Sequence, residues 1–223
     1  MALILQIDTA GTTATVSVAK NGVVTSFRIN ENRNDHASFL QPAIQSILQE
    51  QNILLSNLDA IAVSNGPGSY TGLRVGLSSA KGLCYALQKP LIAIGTLQII
   101  ALASSKKNNE PEAIYIPMID ARRMEVFTGI YNANAEEIVA PHSLILSTDS
   151  FENELLNKKI IFAGDGVEKF SRIFSHKNAV FLKNYNSVQS FSILSLENFN
   201  RKTFADLAYT EPLYVKEFND GKK

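Results

Sequence analysis

The stretch Ser64–Leu83, SNGPGSYTGLRVGLSSAKGL, joins a buried strand to a helix through a glycine-rich loop. The helix itself contains three glycines, each costing about 1 kcal/mol relative to alanine in a helix interior: Gly72, Gly76 and Gly82. The loop is not a Walker A motif, because Leu73 and Arg74 stand where that motif needs Lys and then Ser or Thr. The stretch therefore predicts a strand-to-helix turn capped by Ser69 or Thr71, which serves either to bind an anion or only to turn the chain.

The predicted helix, from about 70 to 88, has three different faces. An apolar face, expected to pack on a sheet, holds Leu73, Leu77, Cys84 and Leu87. A smooth face of small residues holds Gly72, Gly76 and Ala80. A third face holds Arg74, Ser78, Lys81 and Tyr85. The smooth face predicts a helix packed at close range, either the one at 35–50 of the same chain or a helix of a partner.

The elements around this stretch give the fold class. Before it, three strands and a helix are predicted at 3–7, 14–19, 23–28 and 35–50, with Asn21-Gly22 as the hairpin turn. The strand at 60–64 leads into the stretch, and a strand at 91–95 and a helix at 96–104 follow it. The first three strands predict an antiparallel meander, and the later strands, which alternate with helices, predict parallel pairing.

The second half looks like a weaker copy of the first. After a polar segment at 104–112, expected to be a linker, strands are predicted at 114–119, 126–131, 137–139 and 160–164, followed by a short helix. This duplicated order predicts an α/β protein with the two similar lobes of the actin-like ATPase fold, the RNase H-like architecture of sugar kinases, Hsp70 and actin. We expect an N-terminal lobe at 1–105 and a smaller C-terminal lobe at 106–223, whose last 20 or so residues are able to pack back on the first lobe.

The turn after the first strand is the candidate nucleotide site. In actin-like ATPases this turn contacts phosphates, and here it reads DTAGTT, residues 8–13. Asp8 can hold a metal through water, and the backbone at Gly11 and Thr12 can approach a phosphate. The alternative is that Asp8 and the threonines only satisfy backbone groups of the turn.

Composition excludes several functions. Lys plus Arg equals Asp plus Glu, at 21 each, which argues against a chain that binds nucleic acid alone but leaves a local basic patch open. The one cysteine cannot form an internal disulfide, and no apolar run approaches the roughly 20 residues of a membrane span. The N-terminus reaches Asp8 too early for a signal peptide, so we expect a cytoplasmic protein without membrane contact.

No catalytic residue and no metal site are predicted. Zinc-binding helices often use two histidines four residues apart, but His36 is followed by Leu40 at that distance, and the other two histidines are far away. Asp120, in the segment DARRMEVF, is expected to cap a turn and to pair with Arg122 or Arg123, although a substrate or metal contact stays open. The tripeptide GDG at 164–166 is either a turn or a remnant nucleotide loop.

Four segments together resemble the bacterial TsaB family, also called YeaZ, of tRNA threonylcarbamoyladenosine biosynthesis proteins. They are ILQIDTAGTTATVSV, DHASFLQPAI, SNGPGSYTGLRVGLSSAKGL and DARRMEVF, and the late EPLYVK is similar as well. GPGSYTGLRVG is the most specific of these, whereas residues 132–205 carry little resemblance.

The resemblance implies an accessory, non-catalytic role. The complex adds a threonylcarbamoyl group to N6 of the adenosine 3′ of the anticodon in tRNAs that read codons beginning with A. Its catalytic subunit is the paralogue TsaD, which binds metal through paired histidines, and the ATPase TsaE is a further partner. TsaB pairs with TsaD, or with itself when alone, and meets tRNA through the complex. No tightly bound cofactor is implied, although ATP or ADP is used in the complex.

The resemblance also assigns an interface to the first two helices. Its predicted residues are Phe39, Leu40, Ala43, Ile47, Gly72, Arg74, Gly76, Ala80 and Leu83. Two other functions stay open at this point, a free-standing actin-like ATPase or kinase and a metallopeptidase. The first is tested by nucleotide turnover of the isolated chain, and the second by its metal content.

Overall fold

A computed structural model describes residues 1–32, 35–155, 158–183 and 185–216. The first sheet has the strand order β3-β2-β1-β4-β5, and the second has the order β10-β9-β6-β7-β8. The strands of the first sheet are β1 Leu3–Asp8, β2 Ala14–Lys20, β3 Val23–Asn30, β4 Ala60–Ser64 and β5 Leu91–Ile94. Those of the second are β6 Ile114–Asp120, β7 Glu125–Tyr131, β8 Glu137–Ile145, β9 Ile160–Ala163 and β10 Ala179–Leu182.

Each sheet combines an antiparallel meander with two parallel strands. β1 pairs antiparallel with β2 and parallel with β4, and β6 pairs antiparallel with β7 and parallel with β9. At the hairpin between β2 and β3, Asn21 and Gly22 both adopt positive φ, as the predicted turn requires. The duplicated actin-like arrangement that the sequence predicts is therefore confirmed.

The part of the chain that the structure describes contains six α-helices. They are α1 His36–Glu50, α2 Tyr70–Leu87, α3 Thr96–Asn108, α4 Glu152–Leu155, α5 Val167–Ser171 and α6 Ser187–Arg201. α1 and α2 pack on the outer face of the first sheet, α3 and α6 lie between the two sheets, and α5 packs on the far face of the second. None of the helices in the described ranges is both long and apolar enough to cross a bilayer.

Several boundaries differ from the prediction. α3 continues to Asn108, so most of the expected linker at 104–112 is helical, with Ser104 and Ser105 buried against its own chain. β10 and α6 were not predicted. α6 contacts α3 and the first sheet, although the predicted second lobe of 106–223 includes it. Its apolar residues are mixed with serines, which weakens the periodic signal.

The smooth face of α2 packs against β1 of its own sheet, so the prediction that it is open for another helix is wrong. A Cβ added at Gly72 would lie 2.0 Å from the carbonyl oxygen of Thr9, and one at Gly76 would lie 2.3 Å from Thr9 Oγ1. Thr9 Oγ1 in turn donates a hydrogen bond to the Gly72 carbonyl, at 2.6 Å. Ala80 is fully buried in the same core. Gly82 instead faces open space, with no atom within 4 Å of an added Cβ.

The same substitution at two glycines of α2 should have opposite effects on stability. Gly72→Ala forces a Cβ into the Thr9 carbonyl, so we expect a loss of about 1–3 kcal/mol in unfolding free energy. Gly82→Ala meets no neighbour and should raise it by up to about 1 kcal/mol, since alanine is the better helix former. Denaturant unfolding of the two variants and the parent measures both changes. Equal stability of both variants would contradict the close contact between α2 and β1.

Candidate functional site

A cavity of about 890 Å³ lies between the two lobes. The first lobe lines it with the turn after β1 and the loop into α2, including Gly11, Thr12 and Ser69. The second lobe contributes the ends of β6 and of the loop after β9, including Asp120 and Asp165. Both sets of residues follow the carboxyl ends of central strands, which is where open α/β sheets bind ligands.

The glycine-rich loop rests directly on the turn after β1. Ser69 donates its backbone N–H to the Ala10 carbonyl at 2.7 Å, and a Cβ at Gly68 would come within 2.4 Å of that same oxygen. The Ser69 side chain accepts a hydrogen bond from the Gly72 N–H, which confirms Ser69 as the N-cap of α2. Glycine at 68 is therefore needed for packing of the two loops, whatever the cavity binds.

Asp8 faces the protein instead of the cavity. Its Oδ1 accepts hydrogen bonds from Ser64 Oγ at 2.6 Å and from the Ala10 N–H at 3.0 Å. Burial raises the pKa of the Asp8 carboxyl above its ordinary value of 3.8, against the hydrogen bonds and the nearby His36, which lower it. Of the predicted nucleotide residues, Gly11 and Thr12 line the cavity and Asp8 does not, which favours the turn-capping alternative for Asp8.

Two cations of the cavity lining, Arg74 and Lys216, are already engaged with other groups of the chain. Arg74 lies 4.1 Å from the Tyr70 ring centre and donates from Nε to the Tyr214 hydroxyl at 3.0 Å. Lys216 pairs with Glu125 of the second lobe at 2.7 Å. The cavity has room for a nucleotide, and a phosphate near Arg74 or Lys216 would have to compete with these contacts.

In the second lobe, a turn held by hydrogen bonds and an ion pair lies beside the cavity. Asp120 Oδ1 accepts from the Arg122 backbone N–H at 2.6 Å and pairs with Lys169 at 2.8 Å. The predicted cap is confirmed, and Asp120 also forms an ion pair with Lys169, which the sequence did not predict. Asp165 of the GDG segment accepts from the Asp120 N–H at 2.8 Å, so that segment also serves as a turn.

The C-terminal segment 203–216 was not predicted to reach the cavity. Ala205 bridges to Leu91 of β5, and the Leu213 N–H donates to the Asn65 carbonyl at 2.7 Å. Tyr214 then stacks near Tyr70 at 5.2 Å between ring centres. These contacts join residues more than 100 positions apart in the chain, so no local sequence pattern marks them.

The predicted interface splits into inward and outward residues. Six of its nine members are buried in their own lobe and cannot touch a partner in this conformation: Leu40, Ala43, Ile47, Gly72, Gly76 and Ala80. Phe39 and Leu83 are partly buried at the edge of that core, and Arg74 is exposed. With Val75 and the open Gly82, Phe39 and Leu83 form the outer α1–α2 surface.

Comparison with known proteins identifies the family. The sequence model described as "TsaD: tRNA N6-adenosine threonylcarbamoyltransferase" matches residues 24–211. The tRNA threonylcarbamoyladenosine biosynthesis protein TsaB of Buchnera aphidicola subsp. Schizaphis graminum is 30% identical over 76% of this chain and 81% of its own length. The chain belongs to the TsaB family.

Other TsaB-family relatives agree with this assignment. TsaB of Bacillus subtilis is 31% identical over 65% of this chain, and the match spans 62% of the B. subtilis protein. The structure of YeaZ from Pseudomonas aeruginosa superposes with a TM-score of 0.81 and 25% identity, covering 96% of this chain and 100% of that one. A putative N-acetylmannosamine kinase from Listeria monocytogenes, at a TM-score of 0.52 and 11% identity over 90% of this chain and 99% of its own, shares the fold alone.

Removing the charge of Asp8 should stabilise the protein at neutral pH. The folded protein holds the Asp8 proton more tightly than the unfolded chain, so ionised Asp8 opposes folding as the pH rises above 3.8. Asp8→Asn keeps an oxygen for Ser64 and Ala10, so we expect a higher melting temperature near pH 7. The advantage should shrink as the pH falls to about 4, where the carboxyl is protonated.

The exposed Asp149→Asn is the control for loss of a surface charge. Melting temperatures of the parent and both variants, measured between about pH 4 and pH 7, test the predicted stabilisation by Asp8→Asn. A lower melting temperature for Asp8→Asn near pH 7 would show that the Asp8 charge supports the fold.

Proposed function

We propose that this chain is a non-catalytic subunit of the complex that adds a threonylcarbamoyl group to N6 of the adenosine 3′ of the anticodon. It supports a TsaD-type transferase by forming a heterodimer with it, and this takes place in the cytoplasm, where tRNA is used. Membership of the TsaB family supports the pathway, since relatives are named for threonylcarbamoyladenosine biosynthesis.

The environment of His36 carries the non-catalytic assignment. His36 is buried with Nε2 at 3.3 Å from the Gly11 carbonyl oxygen, and Leu40, one turn later, lies in the apolar core. Across the ranges that the structure describes, His, Cys, Asp and Glu side chains form no group of three or more that can hold a metal. We therefore assign metal chemistry to the transferase partner.

The other reactive groups fit the same proposal. The Cys84 thiol is buried, and burial raises its pKa to about 12, which keeps it protonated and unreactive at neutral pH. Asp120 and Lys216 of the cavity lining are held in ion pairs within the chain, which disfavours a free-standing ATPase or kinase. ATP or ADP consumed in the complex is thus handled elsewhere, by the TsaE-type ATPase and the transferase.

The outer α1–α2 surface is the proposed contact with the transferase, and with a second copy when this chain is alone. Phe39, Val75 and Leu83 expose apolar area beside Gly82, where nothing blocks close approach of another backbone. The core beneath holds both helices in place, so the surface is ordered before a partner binds. Preorganised surfaces bind without the cost of ordering loops.

Reconstitution tests the proposed function. A TsaD-type transferase, a TsaE-type ATPase, tRNA and the activated threonylcarbamoyl donor should give modified tRNA only when this chain is present. The chain alone should neither modify tRNA nor turn over ATP. Modification by the isolated chain, or full activity of the other components without it, would overturn the proposal.

Gly82→Leu should weaken association without harming the fold. The Cβ of the new residue meets no atom of its own chain within 4 Å, so the side chain can project from the outer α1–α2 surface. Overpacking costs about 1–3 kcal/mol, so we expect a roughly 5- to 150-fold loss of affinity for the transferase. Calorimetric titration measures the affinity, and thermal melting checks the fold.

Lys177→Leu, at an exposed position in the second lobe, is the matched control for an added apolar side chain. It should leave affinity for the transferase unchanged. If Gly82→Leu binds the transferase as tightly as the parent does, the partner sits on another surface.

A further inference from the structure

The third face of α2 presents aromatic rings and cations in alternation. Tyr70, Arg74, Ser78, Lys81 and Tyr85 are spaced by four, four, three and four residues, so they line one side of the helix. At 1.5 Å per residue the row is about 22 Å long. Gly82 lies four residues after Ser78 and three before Tyr85, so the row borders the outer α1–α2 surface at Gly82.

The C-terminal segment adds two tyrosines along the same row. Lys81 Nζ donates to the Ala208 carbonyl at 3.2 Å, which places Tyr209 beside it in the chain. Tyr214 stacks near Tyr70, and its hydroxyl accepts from Arg74. Together they form one surface, the tyrosine strip, consisting of Tyr70, Arg74, Lys81, Tyr85, Tyr209 and Tyr214.

Two rings of the strip are too exposed to serve the core. The exposed fraction is 73% for Tyr85 and 83% for Tyr209, so neither ring contributes much to folding. Tyr209 is nevertheless held on an ordered turn, because Asp206 Oδ1 accepts from the backbone N–H groups of Ala208 and Tyr209 at 2.8 and 2.9 Å. The backbone therefore presents the ring to solvent in a defined position.

We propose that the tyrosine strip binds single-stranded RNA, and that the strand is the anticodon loop of the tRNA under modification. Exposed rings interleaved with Arg and Lys match the two components of such a ligand, since bases stack on rings and phosphates pair with cations. The strip ends at the cavity between the lobes, which Arg122 lines and which has room for an unstacked nucleotide. This inference rests on the proposed function for the identity of the RNA.

The zero net charge of the chain is consistent with RNA binding as part of the complex with the transferase. Glu211 is an acidic neighbour of Arg74, and the whole chain has no net charge, so the electrostatic part of the affinity is small. Tyrosine and arginine are also common in protein interfaces. The strip continues into a cavity with room for a nucleotide, however, and this favours RNA over a second protein.

Removing the two exposed rings tests the proposal in the assembled complex. The parent and Tyr85→Ala/Tyr209→Ala, each bound to the TsaD-type transferase, are titrated with a tRNA that carries the target adenosine. Loss of one stacked base or more predicts at least about fivefold weaker binding. Tyr85→Phe/Tyr209→Phe keeps the rings and should bind like the parent. Phe27→Ala, which removes a ring that is 49% exposed on β3, is the control for loss of an exposed aromatic side chain.

Two further measurements show whether a loss of tRNA affinity comes from lost base stacking or from lost phosphate contacts. Ring removal should leave the slope of affinity against salt concentration unchanged, because stacking releases no counterions. A duplex of the anticodon stem alone should bind the parent and the ring-free variant equally, since its bases are not available for stacking.

Three results would overturn the proposal. They are unchanged tRNA affinity in the ring-free variant, equal weakening by Phe27→Ala, and loss of transferase binding with tRNA binding intact, which would make the strip a protein interface. Failure of the parent complex to modify tRNA would instead count against the proposed function, and the binding comparison would still decide whether the strip contacts RNA.

Discussion

Direct contact between α2 and β1 determines how the first lobe is arranged. Gly72 and Gly76 bring the helix so close to Thr9 that any side chain would collide with it, and Thr9 closes the contact with a hydrogen bond to Gly72. Both the smooth face and the apolar face of α2 are buried. Outside them, Val75 and Gly82 belong to the outer α1–α2 surface, and the third face carries the tyrosine strip. Gly72 and Gly76 thus lower the intrinsic stability of the helix but allow α2 to lie close to the sheet in a fixed position.

The cleft between the lobes is crossed by contacts within the chain. At its two turns, Asp8 caps backbone and Asp120 is paired with Lys169. The C-terminal segment crosses the opening, with Tyr214 against Arg74 in the first lobe and Lys216 bound to Glu125 in the second. These contacts agree with the proposed role as a partner of the transferase.

Sequence patterns predicted the strand order well because alternation and turn residues are local signals. Asn21-Gly22 marked the hairpin, and the strand at 60–64 with its glycine loop marked the start of α2. They correctly placed the apolar face of α2 inward, since Leu73, Leu77 and Cys84 are buried, but they could not show that the smooth face is buried as well. The contacts of Tyr214 with Tyr70 and Arg74 join positions about 140 residues apart, which periodicity cannot reveal. For this reason the apolar core was easier to predict than the candidate sites.

Hydrogen exchange on the free chain and on its complex with the TsaD-type transferase tests the central claim most directly. The claim is that the inner face of α2 packs on its own sheet, while the outer α1–α2 surface binds the transferase. It predicts that amides in His36–Glu50 and Tyr70–Leu87 exchange more slowly in the complex, while those of the second sheet are unchanged. Slower exchange confined to the second lobe, with both helices unaffected, would contradict the account.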